Sequence, residues 1–301
     1  MKQHALGFPH QKVWRYKTIN NFIGRHIMNI RERIGIDIGI KKPIEDGIEW
    51  ARENKVRYID FRLDISPQSF DEMTPERCDA IKTTLAETGV TMGLHTSSAV
   101  NIAEYSPHLA EAADAYLRSY IDIAKATGAG WVEIHGGYHF TSDKQKRLEA
   151  SRERIKRAVG YAEEQDVTLL LENLNWEPDH AEVHYLAHNV EECHFYFDEI
   201  TSPNLRWAFT INHADLVSEG IDGFINDMDF SRCEEVRVAD SHGKYEEHLA
   251  PGKGRIDWKD TFKRLENMPD FKAHYMCAFG ALDVMLEGRE YLVREAEAAL
   301  S

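Results

Sequence analysis

No run of apolar residues in this 301-residue chain approaches the roughly 20 that a membrane-crossing helix needs, so no membrane partner is expected. Cysteine is scarce: Cys78, Cys193, Cys233 and Cys277 are scattered, with no C-x-x-C pair. That argues against a disulfide framework or a structural zinc ribbon and fits a reducing, cytoplasmic setting. The N-terminus lacks the basic-then-apolar pattern of a secretory signal, which fits the same expectation. Positive charge is short as well. Lys and Arg number 36 against 51 Asp and Glu, a formal charge of −15. A nucleic-acid binder releases phosphate counterions through a basic surface, so this balance opposes nucleic acid as a partner, although a local basic groove stays compatible with it. No G-x-G-x-x-G or Walker-type loop follows an apolar run, and no Pro/Gly-rich linker divides the chain. One stretch reverses the charge pattern: residues 1–31 hold Lys2, Lys12, Arg15, Lys17, Arg25 and Arg31 with no Asp or Glu. We expect residues 1–30 to form a basic arm, lying on the acidic body or preceding a core that begins near Met28. A transit peptide fits less well, because the segment is poor in Ser.

From Arg33 onward, short apolar runs alternate with longer helical patterns. The runs are Ile34–Ile38, Val56–Leu63, Val90–His95, Trp131–His135, Val167–Leu174, Leu205–Ile211, Val236–Asp240 and His274–Phe279. Each is a continuous buried-looking run, as expected where both faces of a parallel strand are covered. Ile44, Ile48 and Ala51 share a helical face after Pro43, and another helix start follows at Thr74-Pro75-Glu76. Leu109, Ala113, Tyr116, Leu117, Tyr120 and Ala124 keep helical spacing, as do Leu148, Ile155, Val159 and Ala162. Thr127-Gly128-Ala129-Gly130 reads as a helix stop before a strand. Later helical stretches cover Val190–Ile200, Leu216–Met228, Trp258–Leu265 and Arg289–Leu300. The alternation predicts an α/β fold, a single (β/α)8 TIM barrel over residues 31–301 with an N-terminal extension. An open, doubly wound sheet is the alternative.

In such a barrel the C-terminal strand ends converge on one mouth. Here those ends are polar: His95-Thr96-Ser97, Glu133-Ile134-His135-Gly136-Gly137, Glu172-Asn173-Leu174-Asn175-Trp176, Thr210-Ile211-Asn212-His213 and Arg237-Val238-Ala239-Asp240-Ser241-His242-Gly243. A loop, Glu246-Glu247-His248-Leu249-Ala250-Pro251-Gly252-Lys253-Gly254-Arg255-Ile256-Asp257-Trp258, follows the seventh. On these motifs the sequence resembles the xylose isomerase-like superfamily of sugar phosphate isomerases and epimerases, which also contains endonuclease IV. The resemblance implies a carbohydrate ligand and a divalent cation held by Glu, Asp, His and Glu of strands five to eight. Position by position, Glu172 is kept, whereas Thr210 stands for the Asp, Arg237 for the His and Ala278 for the last Glu. Thr and Ala offer no anionic oxygen to a hard cation, and Arg stays protonated. We therefore expect an Arg237–Glu172 salt bridge in place of that cation. His95, His135 and Glu172 match one zinc position of endonuclease IV-like relatives, and two His with one carboxylate suffice as a first set for Zn, Mn or Mg. His213, Glu246 and His248 match another. Ordinary hydrogen bonding at a polar mouth accounts for both trios as well, so one divalent metal and no cofactor both stay open.

Isomerisation and epimerisation of sugars remove a proton beside a carbonyl and stabilise the developing oxyanion. The residues assigned to that chemistry are Glu172 as base, with Arg237, His135 and His213 polarising the carbonyl. His95, His135, Asn173, Trp176, Asp240, Glu246, His248 and Lys253 are expected to bind the substrate. Trp176 stacks either on a sugar or within its own loop. His180, His184 and His188, spaced four apart, share a helical face, as solvated lid residues or as metal ligands without the H-E-x-x-H order. Ala278 removes one acid, which leaves a single base working on one face or starting a β-elimination. The expected function is a carbohydrate isomerase, epimerase or lyase. The alternatives are a sugar-binding or partner subunit without catalysis and an endonuclease IV-like phosphodiesterase. Homo-oligomerisation is compatible with the sequence and not fixed by it.

Overall fold

Each predicted apolar run becomes a barrel strand: β1 (Ile34–Gly39), β2 (Tyr58–Phe61), β3 (Thr91–His95), β4 (Trp131–Ile134), β5 (Leu169–Glu172), β6 (Leu205–Thr210), β7 (Cys233–Val238) and β8 (His274–Cys277). This computed structural model describes residues 29–176 and 181–301, so the basic arm up to residue 28 and His180 lie outside the described residues. The strands pair in sequence order, all parallel, and β8 pairs with β1 to close the barrel. Helices pack outside the strands, and their ends obey local chemistry. Thr74 Oγ1 accepts the Arg77 N–H at 3.3 Å to start helix Pro75–Thr88. Gly128, at φ 70°, ends helix Pro107–Thr127 in the left-handed conformation that only glycine adopts cheaply. Ile44, Ile48 and Ala51 are fully buried, as their spacing predicts. Leu109 is not: it is 55 % exposed, because it lies in its helix's first turn, ahead of the buried run that begins at Ala113.

The segment after β5 departs from the helical reading of His184 and His188. His184–Tyr185 instead pairs antiparallel with Tyr138–His139, which follows β4. The glycines permit this close approach. Leu186 N donates to the Gly137 carbonyl at 2.8 Å, and a Cβ on Gly136 would stand 3.0 Å from the Leu186 carbonyl oxygen. A four-residue spacing of histidines carries little weight against a ribbon with these contacts.

Side chains of a strand alternate, so every second residue enters the barrel. At the N-terminal end the His274 ring stacks on Tyr58 at 4.5 Å and lies 4.4 Å from Trp131. Leu170, Ala208 and Met276 join Trp131 in an apolar plug separate from the main core outside the strands. Gly93 makes room for it: a Cβ there would come within 2.1 Å of the indole. Two residues farther along the same rows stand Asp60 and Glu133, and two farther again Arg62 and His135. The barrel interior thus passes from an aromatic plug, through a charged layer, to a polar mouth.

Candidate functional site

The strand ends enclose a cavity of about 380 Å³ at the C-terminal mouth. Glu172, His213 and Arg237 line it, together with His95, His135, Glu246 and His248. Asn173, Trp176, Asp240 and Lys253, which the sequence reading placed with them, do not line it. Each has another occupation. Asn173 ties β5 to β6, donating to the Thr210 carbonyl at 3.0 Å and accepting the Thr210 N–H at 2.9 Å. Trp176 stacks between His184 and His188, at 4.8 and 4.6 Å, so it packs its own loop. Asp240 is fully buried and accepts N–H groups from Ser241, Gly252, Ile256 and the Trp258 indole. A Cβ on Gly254 would stand 2.3 Å from the same carboxylate. The Pro-Gly-Lys-Gly-Arg-Ile-Asp-Trp motif therefore wraps a loop around one buried acid, and Lys253 is left on the surface. Residues missed by the sequence reading include Asp37, Lys41, Arg62, Asn175, Tyr185 and Asn212, all of which line the cavity. Applying the strand-end rule to β1 and β2 as well would have found Asp37 and Arg62.

The expected Arg237–Glu172 salt bridge is present only at its outer limit, and the guanidinium's hydrogen bonds go elsewhere. Arg237 Nε stands 4.0 Å from Glu172 Oε1, beyond hydrogen-bonding distance. The guanidinium instead donates from Nη1 to Asp60, Glu133 and Glu235 at 2.6, 2.7 and 2.8 Å, and from Nη2 to Asp37 at 2.8 Å. A guanidinium at this depth is kept charged by acids on every side: burial opposes the charge, but Glu133, Glu235, Asp60 and Asp37 hold its pKa well above the ordinary value. Burial, and then the Glu235 charge, push Asp60 well above the carboxylate range; burial does the same to Glu133.

Glu172 behaves differently. Burial alone would raise its pKa, yet the His135 hydrogen bond and the charges of His213, His135 and Arg237 hold it well below the carboxylate range. The Thr210 hydroxyl donates to Glu172 Oε1 at 2.5 Å, and His135 Nε2 lies 3.0 Å from Oε2. His95 is pushed well below its ordinary value by burial, then by Arg237 and His135, and so is neutral.

The cation set implied by the resemblance does not fit these residues. Glu172 is its only acid, Thr210 spends its hydroxyl on that acid, Ala278 has no donor atom, and Arg237 brings a fixed positive charge. Two flanking trios have the donor chemistry instead, with ligand atoms within 4.8 Å of one another. In the first, His95 Nε2 and His135 Nε2 face each other at 3.0 Å beside Glu172. In the second, His213 Nδ1 donates to the Asn173 carbonyl at 2.9 Å and His248 Nδ1 to the Ala278 carbonyl at 2.7 Å. Both rings thereby turn Nε2 toward Glu246 Oε1, at 3.3 and 2.9 Å. Carbonyl oxygens only accept, so the neutral rings would point lone pairs at a carboxylate. Protonated rings or a cation relieve that repulsion, and a carbonyl behind each ring is the usual second partner of a metal-bound histidine. Burial would raise Glu246, but its histidines hold it down to about 2; the Glu246 hydrogen bond in turn raises His248.

A closed parallel barrel with carboxylates, imidazoles and a guanidinium at its C-terminal mouth places its polar groups where TIM-barrel proteins carry their sites. The chain belongs to the xylose isomerase-like TIM barrel family, whose sequence description matches residues 48–294. Among solved structures it is similar to a D-tagatose 3-epimerase-like protein, at 18 % identity and a TM-score of 0.76, covering 89 % of this chain and 98 % of that one. It is also similar to an L-ribulose 3-epimerase, at 14 % identity and a TM-score of 0.71, covering 89 % and 95 %. A D-psicose 3-epimerase from Clostridium cellulolyticum H10 shares 18 % identity at a TM-score of 0.67, covering 89 % and 96 %. At these identities the likeness is one of fold. In sequence, the chain is 22 % identical over 176 residues to an uncharacterized protein of Methanocaldococcus jannaschii, a match spanning 58 % of this chain and 64 % of that relative.

Proposed function

We propose that the chain is a carbohydrate isomerase or epimerase-like enzyme that moves a proton beside a carbonyl of a sugar, sugar phosphate or sugar acid. The carrying observation is the setting of Glu172: a buried, ionised carboxylate at the cavity floor, with the fixed charge of Arg237 behind it and the His213 ring 3.5 Å away. The sugar class itself rests on analogy with the epimerases of the same fold.

In this reading Glu172 takes the proton from one carbon and returns it to the neighbouring carbon on the same face, as an aldose–ketose shift requires, since Ala278 supplies no second acid opposite. Its lowered pKa makes it a weak base, so the reaction leans on stabilising the charge that develops at the carbonyl oxygen. Arg237 contributes through its permanent charge and through Nε–H, a donor that its four hydrogen bonds to carboxylates, three from Nη1 and one from Nη2, leave unused. His213, with Nδ1 committed to a backbone carbonyl, would give up the contact of its Nε2 with Glu246, 3.3 Å away, to reach the substrate oxygen. A divalent ion held by either flanking trio would add Lewis-acid polarisation of a bound oxygen.

The test is proton exchange in deuterated water over a panel of ketoses, inososes and sugar acids, followed by NMR. Glu172→Gln should lower exchange by about 10²- to 10⁴-fold. An unchanged rate removes Glu172 as the base, and binding without exchange in the native protein makes this a sugar-binding barrel.

A second reading, metal-assisted phosphodiester hydrolysis, is favoured by one observation. The two trios meet at His213, which stands between Glu172 Oε1 at 3.5 Å and Glu246 Oε1 at 3.3 Å. Two zinc ions per chain by elemental analysis, with cleavage of bis(4-nitrophenyl) phosphate, would favour it. One ion or none, with no cleavage, leaves the first reading in place.

A further inference from the structure

The cavity walls differ in charge. Glu246 and His248 enter from the loop after β7, whereas Lys41 and Arg62 enter from the ends of β1 and β2. Strand pairing makes the two basic residues neighbours: Gly39 is in register with Phe61, and Arg62 N donates to the Gly39 carbonyl at 3.2 Å.

Among the described residues, neither cation is hydrogen-bonded to a carboxylate. Arg62 Nη2 donates to the Ser97 hydroxyl at 3.3 Å, and its buried Nε has no hydrogen-bond partner among the described residues. Asp64 stands 3.7 Å from Nε but accepts the hydroxyls of Tyr116 and Tyr120, at 2.8 and 3.1 Å. Lys41 Nζ donates to the Asp37 carbonyl at 3.3 Å. Elsewhere in this acidic chain, arginines such as Arg33, Arg77, Arg147 and Arg255 hold carboxylates at 2.6–2.8 Å. Two cations from adjacent strand ends lining one cavity, with no carboxylate hydrogen bond among the described residues, are a place for an anion from outside the chain. The guanidinium offers a fork and the ammonium a point charge, and hydroxyls of Thr96 and Ser98 belong to the same lining.

We propose that Lys41 and Arg62 form an anion subsite that holds a terminal oxyanion of the substrate, a phosphate ester or a carboxylate. The subsite rests on the sugar reading above and narrows it: the sugar carries a charge at the end away from Glu246. A neutral sugar would leave both cations without their ligand.

Calorimetry on the full chain with ribose 5-phosphate, ribonate and ribose tests this. A charged probe should bind at least about tenfold more tightly than ribose, and the probe that does so tells phosphate from carboxylate. The advantage should disappear in Lys41→Gln/Arg62→Gln and be partly retained in Arg62→Lys, with circular dichroism unchanged. Equal affinity for all three probes, no binding of either charged probe, or an advantage that survives the double substitution would overturn the subsite. Deuterium exchange on the same samples separates it from the proposed reaction. Charge-dependent binding without exchange keeps the subsite and removes the reaction; exchange with charge-indifferent binding does the reverse.

Discussion

Arg237 and Arg62 are two guanidiniums of one cavity with opposite surroundings. Arg237 is 3 % exposed and donates to four carboxylates drawn from β1, β2, β4 and β7. Arg62, with its side chain 39 % exposed, donates to one neutral hydroxyl. The first is a structural cation that also projects charge into the site; the second has no carboxylate within hydrogen-bonding distance among the described residues. Charge alone does not reveal this difference. The partners do.

Stability measurements can break that comparison. Arg237→Met strands buried acids without their cation and should cost about 3–5 kcal/mol in urea unfolding. A loss below about 1 kcal/mol would show that the acids do not need it. Next in size is an ion pair outside the cavity. Glu192 accepts the Ala187 N–H at 2.9 Å and pairs with His188 and Lys144 at 3.0 and 2.6 Å, fastening the loop after β5. Burial would raise its pKa, but His188 and Lys144 hold it down to about 2. A folded value below the ordinary 4.5 means that its stabilisation is complete above that pH and lost as pH falls toward 2. At neutral pH it is worth about 3 kcal/mol, and Glu192→Gln should remove that acid-labile step from the urea midpoint. A profile unchanged in the variant would place the acid sensitivity elsewhere. The smallest effect belongs to Arg62→Gln, which should stay within about 0.5 kcal/mol of the parent, as for exposed substitutions in general. A large loss there would make Arg62 a second structural cation and sharpen the comparison in the opposite sense.

The barrel was legible because a parallel strand buried on both faces must be apolar over a short run, and such runs recur between amphipathic helices. That Thr210, Arg237 and Ala278 stand where the resemblance implies cation ligands was read from the family motifs, and all three line the cavity. Asp240 was misread because a carboxylate at a strand end looks the same whether it faces a ligand or a loop's N–H groups. The ribbon at His184–Tyr185 was missed because two strand residues carry too little periodic signal to outweigh a helical spacing.

By itself, the sequence determined the strand count and the heart of the mouth at His95, His135, Glu172, His213 and Arg237, since strand count and side-chain alternation are local properties repeated along the chain. Where each charged group spends its hydrogen bonds was decided by the tertiary structure. Arg237 reaches Asp37, 200 positions away in sequence, only because closing the barrel sets β7 one strand away from β1, with β8 between them, and no local pattern encodes that distance.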